Sequence, residues 1–337
     1  MKNTSPRSDP AAWSKFLCLI LGLSSLLGVS ACGGGSGSTS GGGGNGGGGG
    51  GGGGSTNSPP CTFTAPSPGG TTTSVGTTAA INNDFFGMHL NTPQPTVPWP
   101  FFVVNGSTEP LPFGGQRLWA AGVSWSQVNP SQGVYDWTLM NIWLAGAQQH
   151  GVDILYNLAR TPTWASSQPN DTTCSTGAGE CDPPLDLNLD GSGTDAYWIA
   201  WVTAVAQMSA ANKANPSAGL AGISYYEIWN EWNTSAYWSQ NPQYASIAQL
   251  VRMEQDARCV VEGPPPGLSC NPNSSFPSGT RIDPTAQIVS PSPVGGDVDN
   301  LLDEVQISLN NYFSTQVNGE SGGAFSDIIG FHGYVGT

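Results

Sequence analysis

The chain has 337 residues, with nine Lys and Arg against 23 Asp and Glu, a net charge of −14. Three of the nine basic and one of the 23 acidic residues precede Cys32, so the remainder carries six against 22, a net −16 with no basic run. That balance excludes nucleic acid as a partner, and with only 9% charged residues the surface must be mostly uncharged polar groups, as in many secreted proteins.

In chain order, Lys2, Arg7 and Lys15 come first, followed by "FLCLILGLSSLLGV", Phe16 to Val29. This apolar run has the length of a signal-peptide core and is shorter than the about 20 residues a membrane-spanning helix needs. The "VSAC" ending at Cys32 resembles the lipobox of bacterial lipoproteins, which implies a leader over 1–31 and a lipidated Cys32. Ordinary cleavage after Ala31, with Cys32 a plain thiol, is the alternative. From Gly33 to Pro60 the composition is almost wholly Gly, Ser, Thr and Asn, which cannot bury enough apolar surface to order itself. As a flexible coil this linker spans about 30 Å. The expectation is a monomeric domain over 61–337, lipid-anchored to the outer membrane or cell surface.

Past Cys61, short apolar runs alternate with longer helical ones, which predicts βα units and a parallel sheet. Strands are expected at 84–91, 115–122, 152–159, 223–231, 286–293 and 327–335. Helices are expected at 137–150, 194–212, 243–260 and 299–314, the second capped by Thr194 or Asp195. Cys174 with Cys181, and Cys259 with Cys270, are close enough in sequence for two local disulfides, leaving Cys61 over. No CxxC or Cys/His cluster points to zinc, and no metal or cofactor is expected. Asp186, Asn188, Asp190 and Gly191 match the first half of a calcium loop, but position twelve is Tyr197 rather than Glu, and Asp-Gly is also ordinary turn chemistry.

"YYEIWNEWN", Tyr225 to Asn233, places two carboxylates in an aromatic, β-branched run. A buried carboxylate costs several kcal/mol unless it is paired or hydrogen-bonded. Glu227, in mid-run, reads as a buried structural group. Glu231 comes last before a polar turn, where a catalytic acid could face a cleft.

"WNE" closing a fourth strand resembles the acid/base motif of clan A glycoside hydrolases, most nearly the family 39 and family 5 types. "RLWAAGVSWSQVNPSQGVYDW" (117–137) resembles their second strand and its loop, "LARTPTWASS" (158–167) their third, and "FHGYV" (331–335) their sixth. The resemblance implies a (β/α)8 TIM barrel, of which about six β/α units are present, and retaining hydrolysis of extracellular polysaccharide or oligosaccharide. It assigns the general acid/base role to Glu231, with a raised pKa, and a contact to the sugar 2-hydroxyl to Asn230. His332 and Tyr334 alternate and so share one side of their strand. The resemblance puts them against the catalytic carboxylates, and a buried His–Tyr pair is the alternative. Arg117 would steady those carboxylates, or else pair with Glu227 in the barrel wall. Trp164 and Trp232 offer flat faces for sugar rings or for the core, and His89 is ligand or core.

The pattern also breaks. Eight strands are needed and six are counted, and the clan's nucleophilic Glu, at the end of strand seven, has no counterpart among Glu180, Glu254, Glu262, Glu304 and Glu320. The sequence is expected to stop before that strand. The competing reading is a non-catalytic glycan-binding lipoprotein with a degenerate barrel. A Ser-type hydrolase lacks its G-x-S-x-G elbow.

Overall fold

The computed structural model describes residues 86–90, 99–295 and 301–334. The leader, the Gly-rich linker, Cys32 and Cys61 lie outside the described residues. In chain order the elements are β1 (Gly87–His89), β2 (Phe101–Val104), β3 (Ser107–Pro110), β4 (Gly115–Leu118), α1 (Trp125–Val128), α2 (Thr138–His150), β5 (Asp153–Leu158) and α3 (Ala196–Ala214). After a 3-10 turn (Pro216–Ala218) come β6 (Tyr225–Ile228), α4 (Ile247–Val261), β7 (Gln287–Val289), β8 (Val294–Gly295), α5 (Leu301–Ser314), β9 (Gln316–Val317), β10 (Glu320–Ser321) and β11 (His332–Gly333).

The fold is α/β with a parallel sheet. Strands β1, β4, β5, β6 and β7 pair in chain order, all parallel. The ladder then breaks and resumes: Val289 bridges Ile328, and β8 pairs in parallel with β11. Gly330 sits in that break, where a Cβ would collide with the Ser292 hydroxyl. The described residues thus supply six parallel runs, each within a predicted strand or extending it. They do not close into the expected barrel. Exposed Phe86 precedes the first run, and exposed Ile329 and Phe331 lie in the last.

Four helices, α2 to α5, fall on the predicted segments. Ser246 opens α4 with a capping box, accepting from Gln249 N while the Gln249 side chain returns to its own N–H. Gly151 ends α2 in the left-handed conformation at φ 64°. The cap of α3 differs from expectation: Asp195 is left-handed and gives no side-chain cap. Instead the Asp186 carboxylate accepts from Ala196 N at 2.6 Å and from the Thr194 hydroxyl at 2.8 Å. Asp190 accepts from Ser192 N and Asn188 donates to the Ser192 hydroxyl, so these side chains brace the loop, while Asp186 Oδ1 is buried without a hydrogen bond among the described residues.

Two hairpins were not expected. Asn105-Gly106 joins β2 to β3, and Asn318-Gly319 joins β9 to β10. All four residues have positive φ, from 51° to 83°, as a two-residue primed turn requires. Both expected disulfides are present, Cys174–Cys181 and Cys259–Cys270.

Candidate active site

The period of two along each strand puts Arg117 of β4, Asn157 of β5 and Glu227 of β6 on one face. Glu227 lies opposite Asn157, and Arg117 opposite Leu155. All three are buried. Glu227 resolves the puzzle of a carboxylate in an apolar strand. Its Oε2 accepts from Arg117 Nε at 2.7 Å and from Asn157 Nδ2 at 3.0 Å, and its Oε1 from His332 Nε2 at 3.2 Å. Burial alone would raise its pKa, but the Arg117 guanidinium and His332 hold it well below the usual carboxylate range.

Glu231 sits just beyond the end of β6. His332 Nδ1 donates to its Oε1 at 2.9 Å and the Tyr334 hydroxyl donates to the same oxygen at 2.7 Å. Burial would raise this carboxyl too, yet those two hydrogen bonds, with the charges of His332 and Arg117, lower it. This corrects the expected raised pKa: as described, Glu231 is ionised at neutral pH. His332 is the counterpart. Burial lowers its pKa, but Glu227 and Glu231 overcome that and raise it. The cluster therefore balances two carboxylates against a guanidinium and an imidazolium.

The backbone here is strained. Trp229 and Glu231 hold φ of 59° and 45°, Ala120 after β4 holds 52°, and Arg160 after β5 holds 70°. Non-glycine residues in this region cost of order 1–3 kcal/mol each and gather at functional sites. Neighbours enforce the shape. The Trp229 indole donates to Tyr237 O at 2.5 Å and packs edge-on against Trp238. Thr234 N and Oγ1 both donate to Glu231 O at 3.0 Å, and Asn233 exchanges two hydrogen bonds with Val294. The last pair ties the turn carrying Glu231 to β8, the partner of the strand carrying His332.

Asn230 accepts from Arg117 Nη2 at 2.7 Å, while its own Nδ2 is buried and has no partner among the described residues. An uncommitted buried donor beside Glu231 is suited to a ligand oxygen. His89 stands in register with Arg117 and donates to Trp119 O, and burial lowers its pKa. Trp164 and Trp232 are placed differently. Trp232 is only 5% exposed, donates to Pro291 O and packs on Tyr312, which leaves no open face for a sugar. Trp164 donates to Asn129 O and packs edge-on with Trp125 and Tyr197.

Four neighbours escaped the sequence reading. Asn157 was detectable as a lone amide in a buried strand. Trp119 lies under Arg160, whose guanidinium carbon is 4.4 Å from the ring centre, and meets Tyr237 edge-on at 5.2 Å. Tyr237 feels the charges of Glu231, Arg160 and Arg117. No motif marked these contacts, which arise between loops. Away from this cluster, Asp171, Cys174, Cys181 and Asp182 come together, but the two sulfurs are bonded to each other and are not thiolate ligands. Burial, with Asp171 beside it, raises Asp182 to about 7.

No protein-family model matches the chain, and no curated protein matches it. Solved structures do. A monomeric beta-xylosidase from Caulobacter crescentus CB15 is 18% identical over 58% of this chain and 33% of that one, with a TM-score of 0.34. The GH39 enzyme from Xanthomonas axonopodis pv. citri is 17% identical over 58% of this chain and 33% of its own, at 0.35. The catalytic domain of GH30 xylanase C from Talaromyces cellulolyticus is 16% identical over 66% of this chain and 45% of its own, at 0.35. The chain spans between a third and under a half of the length of these structures, and at such TM-scores the likeness carries no assignment.

Proposed function

We propose that the chain is a glycoside hydrolase acting on extracellular polysaccharide or oligosaccharide, with Glu231 as general acid/base. Its parallel runs would be the first six staves of a (β/α)8 barrel. The observation that carries this reading is Glu231 itself: a carboxylate just past the end of a buried strand, on strained backbone, oriented by His332 and Tyr334 beside the free donor of Asn230. In glycosidic cleavage such a group protonates the leaving oxygen, and a hydrogen bond to the 2-hydroxyl strengthens as the oxocarbenium-like transition state forms. Retention also needs a second carboxylate about 5–5.5 Å from the first. Glu227 is saturated by Arg117, Asn157 and His332, so it is not that group.

Glu231→Ala should slow natural glycosides far more than activated aryl glycosides, whose leaving groups need little protonation, and azide should restore turnover in part. Equal losses on both substrates without azide rescue would remove Glu231 from the role. A second reading, a glycan-binding protein without turnover, is favoured by one feature: His332 and Tyr334 both hydrogen-bond Glu231 Oε1, contacts that lower a carboxyl which a waiting acid should keep protonated. Under that reading Glu231→Gln leaves sugar affinity intact and no substrate is cleaved. In both readings the leader and Cys32 would anchor the domain to the cell envelope by lipid.

A further inference from the structure

The loops after β5 and β6 face each other across a groove separate from the carboxylate cluster. Two cavities of about 570 Å³ and about 600 Å³ lie along it and share Gln168 and Tyr244. One begins at Ser235, on the turn that Glu231 opens, and the other reaches the turn at 188–192. The walls are cross-tied. Ser239 N donates to Cys181 O at 2.9 Å, the Ser175 hydroxyl donates to Ala236 O at 2.9 Å, and the Cys174–Cys181 disulfide closes the segment between. Such a groove is preformed, so a ligand need not pay for ordering it.

The chemistry of the lining narrows the ligand. Tyr244 is 38% exposed, and among the described residues its ring stacks on no other. The side-chain amides of Gln168, Asn170 and Gln243 line the groove without a hydrogen bond among the described residues. Neither cavity is lined by Lys or Arg, while Asp171 and Asp190 each line one. An anionic chain would meet only negative charge. A neutral, hydroxyl-rich chain finds amides that both donate and accept, and an aromatic face for its C–H surface. Each cavity is within the about 300–1,000 Å³ of ordinary ligand sites.

We propose that this groove binds a segment of neutral polysaccharide several sugars long, running from the turn at Ser235 past Tyr244 to the turn at 188–192. The position of the cleaved bond rests on the glycosidase reading above; the binding does not. Calorimetry on the full chain with neutral xylo-, manno- and gluco-oligosaccharides of two to six sugars, and with a polygalacturonate hexamer as the charged probe, tests it. Affinity for one neutral series should rise at least tenfold from dimer to hexamer. Tyr244→Ala should weaken the hexamer about tenfold and leave the dimer unchanged, with Tyr244→Phe close to wild type. Gln168→Ala should act in the same direction, should the tyrosine variant unfold. Affinity independent of length, no effect of either variant, or tighter binding of the charged hexamer would overturn the proposal. If short sugars bind with no gain from added length and Asn230→Ala removes that binding, the groove is wrong and the glycosidase reading stands. If no sugar of any length binds, both fall.

Discussion

Replacing Arg117 by Met removes the guanidinium that donates to Glu227 at 2.7 Å and to Asn230 at 2.7 Å, both partners being almost fully buried. Breaking a buried pair on one side costs about 3–5 kcal/mol, because the remaining charge is left uncompensated. Total stabilities are only about 5–15 kcal/mol, so the loss should be plain in urea unfolding followed by tryptophan fluorescence. The pH dependence has a definite sign. In the wild type Glu227 is held low, so it contributes stability above its unfolded pKa of about 4.3, lost as pH falls through the folded value. In the variant burial dominates and raises the same carboxyl, so its penalty disappears on acidification. The gap between the two proteins should therefore narrow from pH 7 towards pH 4. Arg117→Met with Glu227→Met together should recover most of the loss, since apolar replacement of a whole buried pair is often neutral. A single variant within about 1 kcal/mol of wild type, or a double variant no better than the single, would refute this account of the strand face.

The remaining predictions are more local. His332→Gln should raise the Glu231 pKa, read by carbon NMR titration of the glutamate carboxyls; an unchanged value would show that the imidazolium does not hold that charge. Burial raises Glu254 to about 7, so its contribution is present below its unfolded pKa of about 4.3 and lost as pH rises through the folded value. The melting midpoint should then fall between about pH 5 and pH 8, and Glu254→Gln should flatten that fall. Removing either disulfide by paired Cys→Ser changes should cost about 2–3 kcal/mol on the loop-entropy scale for closures of this length. Cys32→Ser should release the protein from membranes and abolish palmitate labelling; wild-type fractionation would count against the lipid anchor.

The parallel runs were legible because burial on both faces leaves a continuous apolar signature. "DILYNL" and "YYEI" announce themselves, and α4 after them carries its own capping box. The Asn-Gly hairpins were legible too and were passed over, although Asn105-Gly106 sits directly after "FFVV". The α3 cap was not legible, because Asp186 reaches it across a loop of nine residues that no local rule covers. Trp232 shows a related limit. One position along the chain decides between an open face and the core, and only the left-handed turn at Glu231 shows that its ring goes inward.

The protonation of Glu231 is where sequence reasoning failed most informatively. A motif can place a carboxylate at a strand end, but its pKa depends on the sum of charges around it. Here that sum contains Arg117 and a His332 imidazolium shared between Glu227 and Glu231, and both favour the ionised form. For Glu231 to wait as an acid, something negative must approach it closely enough to outweigh them, since like charge is what raises a carboxyl against such partners. Glu227 is not that group, because its own charge is already cancelled by Arg117. The second carboxylate of a retaining reaction would supply both the nucleophile and the missing repulsion. One added negative charge would thus turn a neutral, closed network of four side chains into an acid beside a base. The glycosidase reading requires that charge, and the glycan-binding reading does without it.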